Sequence, residues 1–129
     1  MDQTALGLLL QHLRERRGLK LRELAQLANV DHAYVYRLET GAKERPSEHV
    51  LSKLIRGVKA DRREAAILRY AAEHASTAPA LAQLALEDAT ITFEIFATAA
   101  GVAFRGTARP DVRRLVDRVR RILDEENGS

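Results

Sequence analysis

The stretch NVDHAYVYRLETGAKERPS, residues 29–47, gathers the side chains best suited to hold a partner. Val30, Val35 and Leu38 are spaced to face a core. That turns Asp31, His32, Ala33, Tyr34 and Arg37 outward, with Lys43, Arg45 and Pro46 following Gly41. The outward set is polar, aromatic and basic, which is binding chemistry. Catalytic chemistry has almost nothing to rest on. His12, His49 and His74 show no metal-ligand spacing with one another or with carboxylates. There is no Gly-rich phosphate loop and no Ser set up as a nucleophile, so no catalytic residue, cofactor or metal is expected.

The charge is uneven along the 129 residues. Residues 1–74 carry 14 Lys/Arg against 10 Asp/Glu, and residues 75–129 carry 7 against 8. A basic first half joined to a near-neutral second half suggests a polyanion-binding module attached to something else. A hydrophobic content of 46% with 30% charged residues describes a folding, soluble chain rather than a disordered one. The absence of Cys fits a reducing compartment. No apolar run nears 18 residues and no signal-peptide pattern is seen, so the expectation is a cytoplasmic, nucleoid-associated protein without a membrane span.

The elements that must position the outward face are helices. Leu6, Leu9, Leu10 and Leu13 predict a first helix over 3–17, ending before Gly18. Leu21, Leu24, Ala25 and Ala28 predict a short second one. Asn29 tolerates the left-handed backbone of a tight turn. Asp31 is a natural N-cap for a third helix stopping near Gly41, Ser47 for a fourth and Asp61 for a fifth. ASTAPA (75–80) reads as a linker, and Leu81, Leu84, Ala85 and Leu86 suggest a sixth helix. TITFEIF (90–96) alternates like a strand, but Phe93, Phe96, Ala97, Ala100 and Phe104 also form a helical stripe. Helix is preferred there, because a lone strand cannot satisfy its own backbone. GVAFRGTARP (101–110) reads as a loop. Asp111 falls in the first turn of a last helix bearing Val112, Leu115, Val116, Val119, Ile122 and Leu123. The expected fold is all-α, divided into 1–75, a linker at 76–80, and 81–129.

Two short helices joined by a tight turn within a five-helix set make a helix-turn-helix. Helices two and three cross closely, so a small residue is needed, and Ala25 supplies it. LRERRGLKLRELAQLANV (13–30) and YVYRLETGAKERPS (34–47) strongly resemble the Cro/CI-type (XRE) DNA-binding domains over residues 6–74. The resemblance implies base reading in the major groove of double-stranded DNA by His32, Ala33 and Arg37. Arg37 would contact guanine O6 and N7 in bidentate fashion, for about 1–3 kcal/mol of discrimination. Lys20, Arg22, Tyr34, Lys43, Arg45 and Ser47 would hold the sugar-phosphate backbone. Leu21 departs from the family, which often has a polar residue there. Glu39 is read as a structural partner for an Arg such as Arg14, and Tyr36 as packing or dimer surface.

Such domains usually act as symmetric dimers on two half-sites. For the second half this assigns homodimerisation to Phe93, Phe96, Phe104, Val112, Leu115, Val116, Val119, Ile122 and Leu123. The alternative is that the stripe only packs on 81–104. Residues 81–123, with FRGTARPDVRRL and VRRIL, also resemble the C-terminal domain of DdrO-type repressors. That resemblance implies a partner zinc metallopeptidase of the IrrE/ImmA kind and a candidate cleavage site at Phe104–Arg105. The reading is a repressor on a near-palindromic operator. Its rival is an antitoxin that binds DNA through its first half and a toxin through its second.

Overall fold

Thr4 starts the first helix by accepting, through Oγ1, the Gly7 N–H at 3.0 Å. The computed structural model describes residues 3–41, 45–105 and 111–128, and of residues 104 and 105 the backbone alone. Among the described residues it holds eight helices and no strand, so the fold is all-α. These are α1 (Ala5–Arg16), α2 (Leu21–Ala28), α3 (His32–Thr40), α4 (Glu48–Val58), α5 (Arg62–Glu73), α6 (Pro79–Glu87), α7 (Phe93–Arg105) and α8 (Val112–Gly128).

Local chemistry sets most boundaries. Asn29 sits at φ 51, ψ 51, and the Val30 N–H closes α2 onto the Ala25 carbonyl at 2.9 Å. Ser47 Oγ accepts the Val50 N–H at 3.2 Å. Asp61 and Glu64 exchange backbone-to-side-chain bonds in a capping box of 2.8 and 2.9 Å. Asp31 occupies the N-cap position of α3, but its side chain makes no capping bond. Asp111 precedes α8 instead of lying in its first turn, and its Oδ1 accepts from the Arg113 and Arg114 N–H groups.

In the second half the loop expected at 101–105 and the linker expected at Pro79 and Ala80 are corrected, while the helix preferred over a strand in TITFEIF is found. Residues 101–105 continue α7 and are not loop, while 106–110 lie outside the described residues. In TITFEIF the helix begins only at Phe93. Thr92 Oγ1 accepts the Ile95 N–H at 3.1 Å, as an N-cap does. The fully buried residues here are Ile91, Phe96 and Ala99, which is not the strand-like set of Ile91, Phe93 and Ile95. Pro79 and Ala80, placed in the linker by the sequence, form the first turn of α6.

One apolar core runs through the chain. Leu10, Leu13, Leu24, Val35 and Leu38 are at most 1% exposed, and the cluster continues through Leu81, Ile91 and Phe96 to Val116 and Val119. Burying each large apolar side chain stabilises by roughly 1.5–3 kcal/mol. α1 is the shared wall, with α3, α5 and α6 all against it. The close contact with α3 depends on Gly7, where an added Cβ would lie 2.5 Å from the Leu38 carbonyl oxygen and 2.9 Å from that of Glu39. Those are backbone atoms and cannot swing aside.

Polar ties cross the apolar seams. Arg16 grips Glu64 with bonds of 2.6 and 3.0 Å, joining α1 to α5. Arg63 donates to the carbonyls of Ile91 at 2.9 Å and Ala85 at 3.1 Å, fastening α5 to the end of α6. Arg120 reaches Asp88 and Thr90, at 3.2 and 2.8 Å, ahead of α7. Arg17 also donates to the Gly57 carbonyl, joining the end of α1 to α4.

Two outcomes follow. Gly7→Ala should lower the free energy of unfolding in urea by about 1–3 kcal/mol, through overpacking against α3. The Arg16 hydrogen bond holds the Glu64 carboxyl below its ordinary value of 4.5, against the opposing effect of burial. A depressed carboxylate stabilises the fold above its unfolded pKa and loses that contribution as the pH falls through the folded value. Arg16→Gln should therefore cost about 1 kcal/mol or less near pH 7. That difference should shrink toward zero as the pH drops below 4.5, as read by denaturant titrations across pH.

Candidate nucleic-acid interface

The α3 segment buries Val35, Leu38 and Glu39 and leaves His32, Ala33, Tyr36, Arg37 and Thr40 exposed. With about 100° between successive residues, these five fall within an arc of about 140°. The three expected base readers thus share one face. Tyr36, 55% exposed, stands in the middle of that face, between His32 and Ala33. The sequence reading assigned it to packing or a dimer surface, although its position four residues after His32 is the available signal. Thr40 donates from Oγ1 to the Tyr36 carbonyl at 2.8 Å, which ties down the last turn.

The buried side of α3 is fixed by charge as well as by apolar contact. Arg14 donates through Nε and Nη2 to the two carboxylate oxygens of Glu39 at 2.8 and 2.9 Å, and through Nη1 to the Leu19 carbonyl at 2.7 Å. Glu39 is 4% exposed. The Glu39 hydrogen bond raises the Arg14 pKa, against desolvation. Gln3 Nε2 donates to the Glu39 carbonyl at 2.8 Å, so that α3 is held at backbone and side chain together. Glu39 is the structural partner of Arg14, as its place in the sequence suggested.

Around this face lie the expected backbone contacts. Arg22 and His32 border one shallow cleft with Gln26, Asn29 and Asp31, which brings α2 beside the start of α3. Gln26, one turn after Arg22, is a polar group of this cleft that the sequence reading passed over. Lys20 is exposed at the start of α2. Arg45 and Ser47 are exposed beside the start of α4, where Arg45 shares a pocket with Arg69. The Arg37 guanidinium carbon sits 5.6 Å from the centroid of the Tyr34 ring, a cation–π approach. Tyr34 is half-buried. Lys43 lies outside the described residues.

The first-turn amides of α2 and α4 are natural anion sites, because their N–H groups lack intrahelical acceptors. At α2 the site is contested. Glu23 Oε1 accepts the Lys20 N–H at 2.8 Å, so a carboxylate already stands at that helix start. At α4, Glu48 is held by Arg69 at 3.0 Å and by Ser52 at 3.0 Å. Its carboxyl lies below the ordinary value, first through Ser52 and then through Arg69.

The residues assigned to dimerisation are not brought together on a surface. Phe96, Leu115, Val116 and Val119 are at most 7% exposed, buried inside a single chain where α8 packs on α7 and α6. Their apolar stripe is spent on intrachain packing, which corrects their assignment to contact between copies. Val112 and Leu123 are half-buried, while Phe93 and Ile122 are 38% and 47% exposed. The side chains of Phe104 and Arg105 lie outside the described residues, so the candidate cleavage site is seen only as the helical end of α7. Among the described residues no cluster of His, Asp and Glu is placed to hold a metal, and no helix is long and apolar enough to cross a membrane.

An amphipathic α3 with a polar outer face, clamped behind α2 through a left-handed turn, defines a DNA-binding module of a transcription regulator. The family described as "Helix-turn-helix domain" matches residues 5–68, and that segment is a helix-turn-helix domain. This agrees with the Cro/CI-type resemblance of the same residues. No curated protein and no solved structure matches the chain.

Glu23→Gln keeps an acceptor for the Lys20 amide while removing a negative charge from the α2 start. It should raise affinity for any duplex about two- to fivefold at low salt, with base preference unchanged. Titrations against specific and scrambled duplexes read this. A gain confined to one sequence would contradict it.

Proposed function

We propose that the chain is a sequence-specific repressor, which binds a near-palindromic operator as a homodimer and blocks promoter access. The observation that supports it most is the exposed arc of α3, on which His32, Ala33, Tyr36 and Arg37 stand together over a buried Arg14–Glu39 clamp. In this reading α3 enters the major groove. Arg37 leaves the Tyr34 ring to reach guanine O6 and N7, His32 offers one hydrogen bond, and Ala33 meets a thymine methyl. Tyr36 covers the sugar or base between them.

Lys20, Arg22, Lys43, Arg45 and Ser47 hold the flanking phosphates. Ser47 Oγ accepts from the Val50 amide and keeps its own hydroxyl hydrogen for a phosphate oxygen. Paired half-sites lie about one helical turn, 34–36 Å, apart.

Inactivation by a zinc metallopeptidase at Phe104–Arg105 belongs to the same proposal. A cut there leaves α8 on a separate fragment, and with it Leu115, Val116 and Val119 of the core. Cleavage would then disturb folding of the second half as well as pairing.

Selection of random duplexes on the purified chain, followed by titration of variants, tests the DNA reading. Arg37→Ala should relax preference at one half-site position, at a cost of about 1–3 kcal/mol for the best site. Arg45→Ala and Lys43→Ala should each weaken all sequences alike and lower the salt slope by about 1. Enrichment of no duplex over random competitor at low salt would refute the reading. An unchanged salt slope in both Arg45→Ala and Lys43→Ala would refute the phosphate assignments alone.

A further inference from the structure

A groove away from the α3 arc lies where the C-terminal ends of α1 and α4 meet the flank of α2. Arg17, Lys53, Arg56 and Lys59 line it together with Leu27 and Gly57, and none of these described residues is acidic. Among the described residues Lys53, Arg56 and Lys59 take part in no ion pair. Leu27 is 59% exposed at the same place. Four cations in one concavity repel one another and favour an anionic occupant.

DNA phosphate fits this groove poorly. Lys59 closes α4, a helix of 11 residues, so this end of the groove lies about 16 Å from the amide end where Ser47 stands. A phosphate also has no use for an exposed leucine. An acidic segment with an apolar anchor fits both features.

The chain carries such a segment. Arg120 is tied to Asp88 and Thr90 ahead of α7, so the last turns of α8 overhang the first residue of α7. On that overhang Ile122 is 47% exposed, Leu123 is half-buried, and Asp124, Glu125 and Glu126 are exposed. Their own chain does not use them in the groove, since α8 packs on α6 and α7 and lines no part of it.

We propose that the acidic end of α8 from one copy docks in the basic groove of a second copy, with Ile122 against Leu27 and the carboxylates facing Lys53, Arg56 and Lys59. Two such contacts related by a twofold axis would close the pair as a dimer. This deepens, and rests on, the homodimer reading. It supplies the contact that the buried α8 stripe cannot.

Sedimentation equilibrium of the full chain over a range of concentration and salt tests it, with duplex binding measured in parallel. The variants are Lys53→Glu with Arg56→Glu, Glu125→Lys with Glu126→Lys, all four together, and Leu27→Ser. Each reversed pair should raise the dimer Kd about tenfold or more, and the four-fold variant should recover most of that loss. Leu27→Ser should weaken the dimer with the charges intact, and helicity by circular dichroism should be unchanged throughout.

A wild-type dimer indifferent to both reversals, or no recovery in the combined variant, overturns the docking and leaves the homodimer standing. A chain monomeric at every concentration overturns both. If the Lys53 and Arg56 reversal lowers the salt slope of duplex binding without moving the dimer Kd, the groove belongs to DNA and the docking is wrong.

Discussion

The contact between α1 and α3 is the constraint from which the rest follows. α3 is nine residues long, too short to be stable by itself in water. Its outward face exists only because its inward face is held. Gly7 lets the α1 backbone approach the last carbonyls of α3, Gln3 takes one of those carbonyls, and Arg14 takes both oxygens of Glu39. A buried ion pair contributes little net stability over an apolar pair of equal shape, because desolvation offsets the attraction. What it adds here is register. A guanidinium with two parallel bonds to one carboxylate admits a single rotation of α3 about its axis, and that rotation decides which residues reach outward.

Much of this was legible in the sequence because it follows short-range rules. Leu-Glu-x-Gly at 38–41 announces a helix end at a glycine that adopts φ 107, and Asn29 announces the left-handed turn before α3. Ala25 announces the close crossing of α2. Glu39, lone and acidic on the side that carries Val35 and Leu38, announces a cationic partner. The position of Tyr36 was less legible, because a tyrosine suits packing, a dimer surface or a groove equally, and only a built helix shows it exposed beside His32 and Ala33. Glu23 at the α2 start is a carboxylate like any other until its hydrogen bond to the Lys20 amide is seen.

The second half was harder to read for a different reason. A stripe such as Val112, Leu115, Val116, Val119 and Ile122 says that a helix face is buried, and nothing about which chain buries it. The answer depends on how far α8 runs beside α7. The ties from Arg63 and Arg120 to the turn between α6 and α7 set that overlap, at sequence separations of 22 to 32 residues. Two Gly and a Pro within 101–110 make that stretch read as a loop, yet 101–105 continue α7. Within a helix that already carries Ala97, Ala99 and Ala100, one glycine costs only about 1 kcal/mol, and tertiary packing absorbs it.

The join between the two halves bears on how a dimer would read DNA. Between α5 and α6 the backbone is pinned. Thr77 is 5% exposed and bonds twice to the His74 carbonyl, at 2.9 and 2.7 Å, while the His74 ring stacks on Tyr70 with centroids 4.0 Å apart. Tyr70 in turn meets Phe96 edge-on at 5.7 Å, joining α5 to α7. α6 then packs on the same helix, α1, that holds α3 from its other side. Any pairing made through the second half is therefore transmitted to the α3 arc through packed helices rather than a flexible tether. A tether would let each α3 search for its half-site separately, at an effective concentration set by linker length. In a dimer paired through the second half, a packed α1 between α6 and α3 would instead fix the separation and mutual orientation of the two arcs, and half-site spacing would become part of what is recognised.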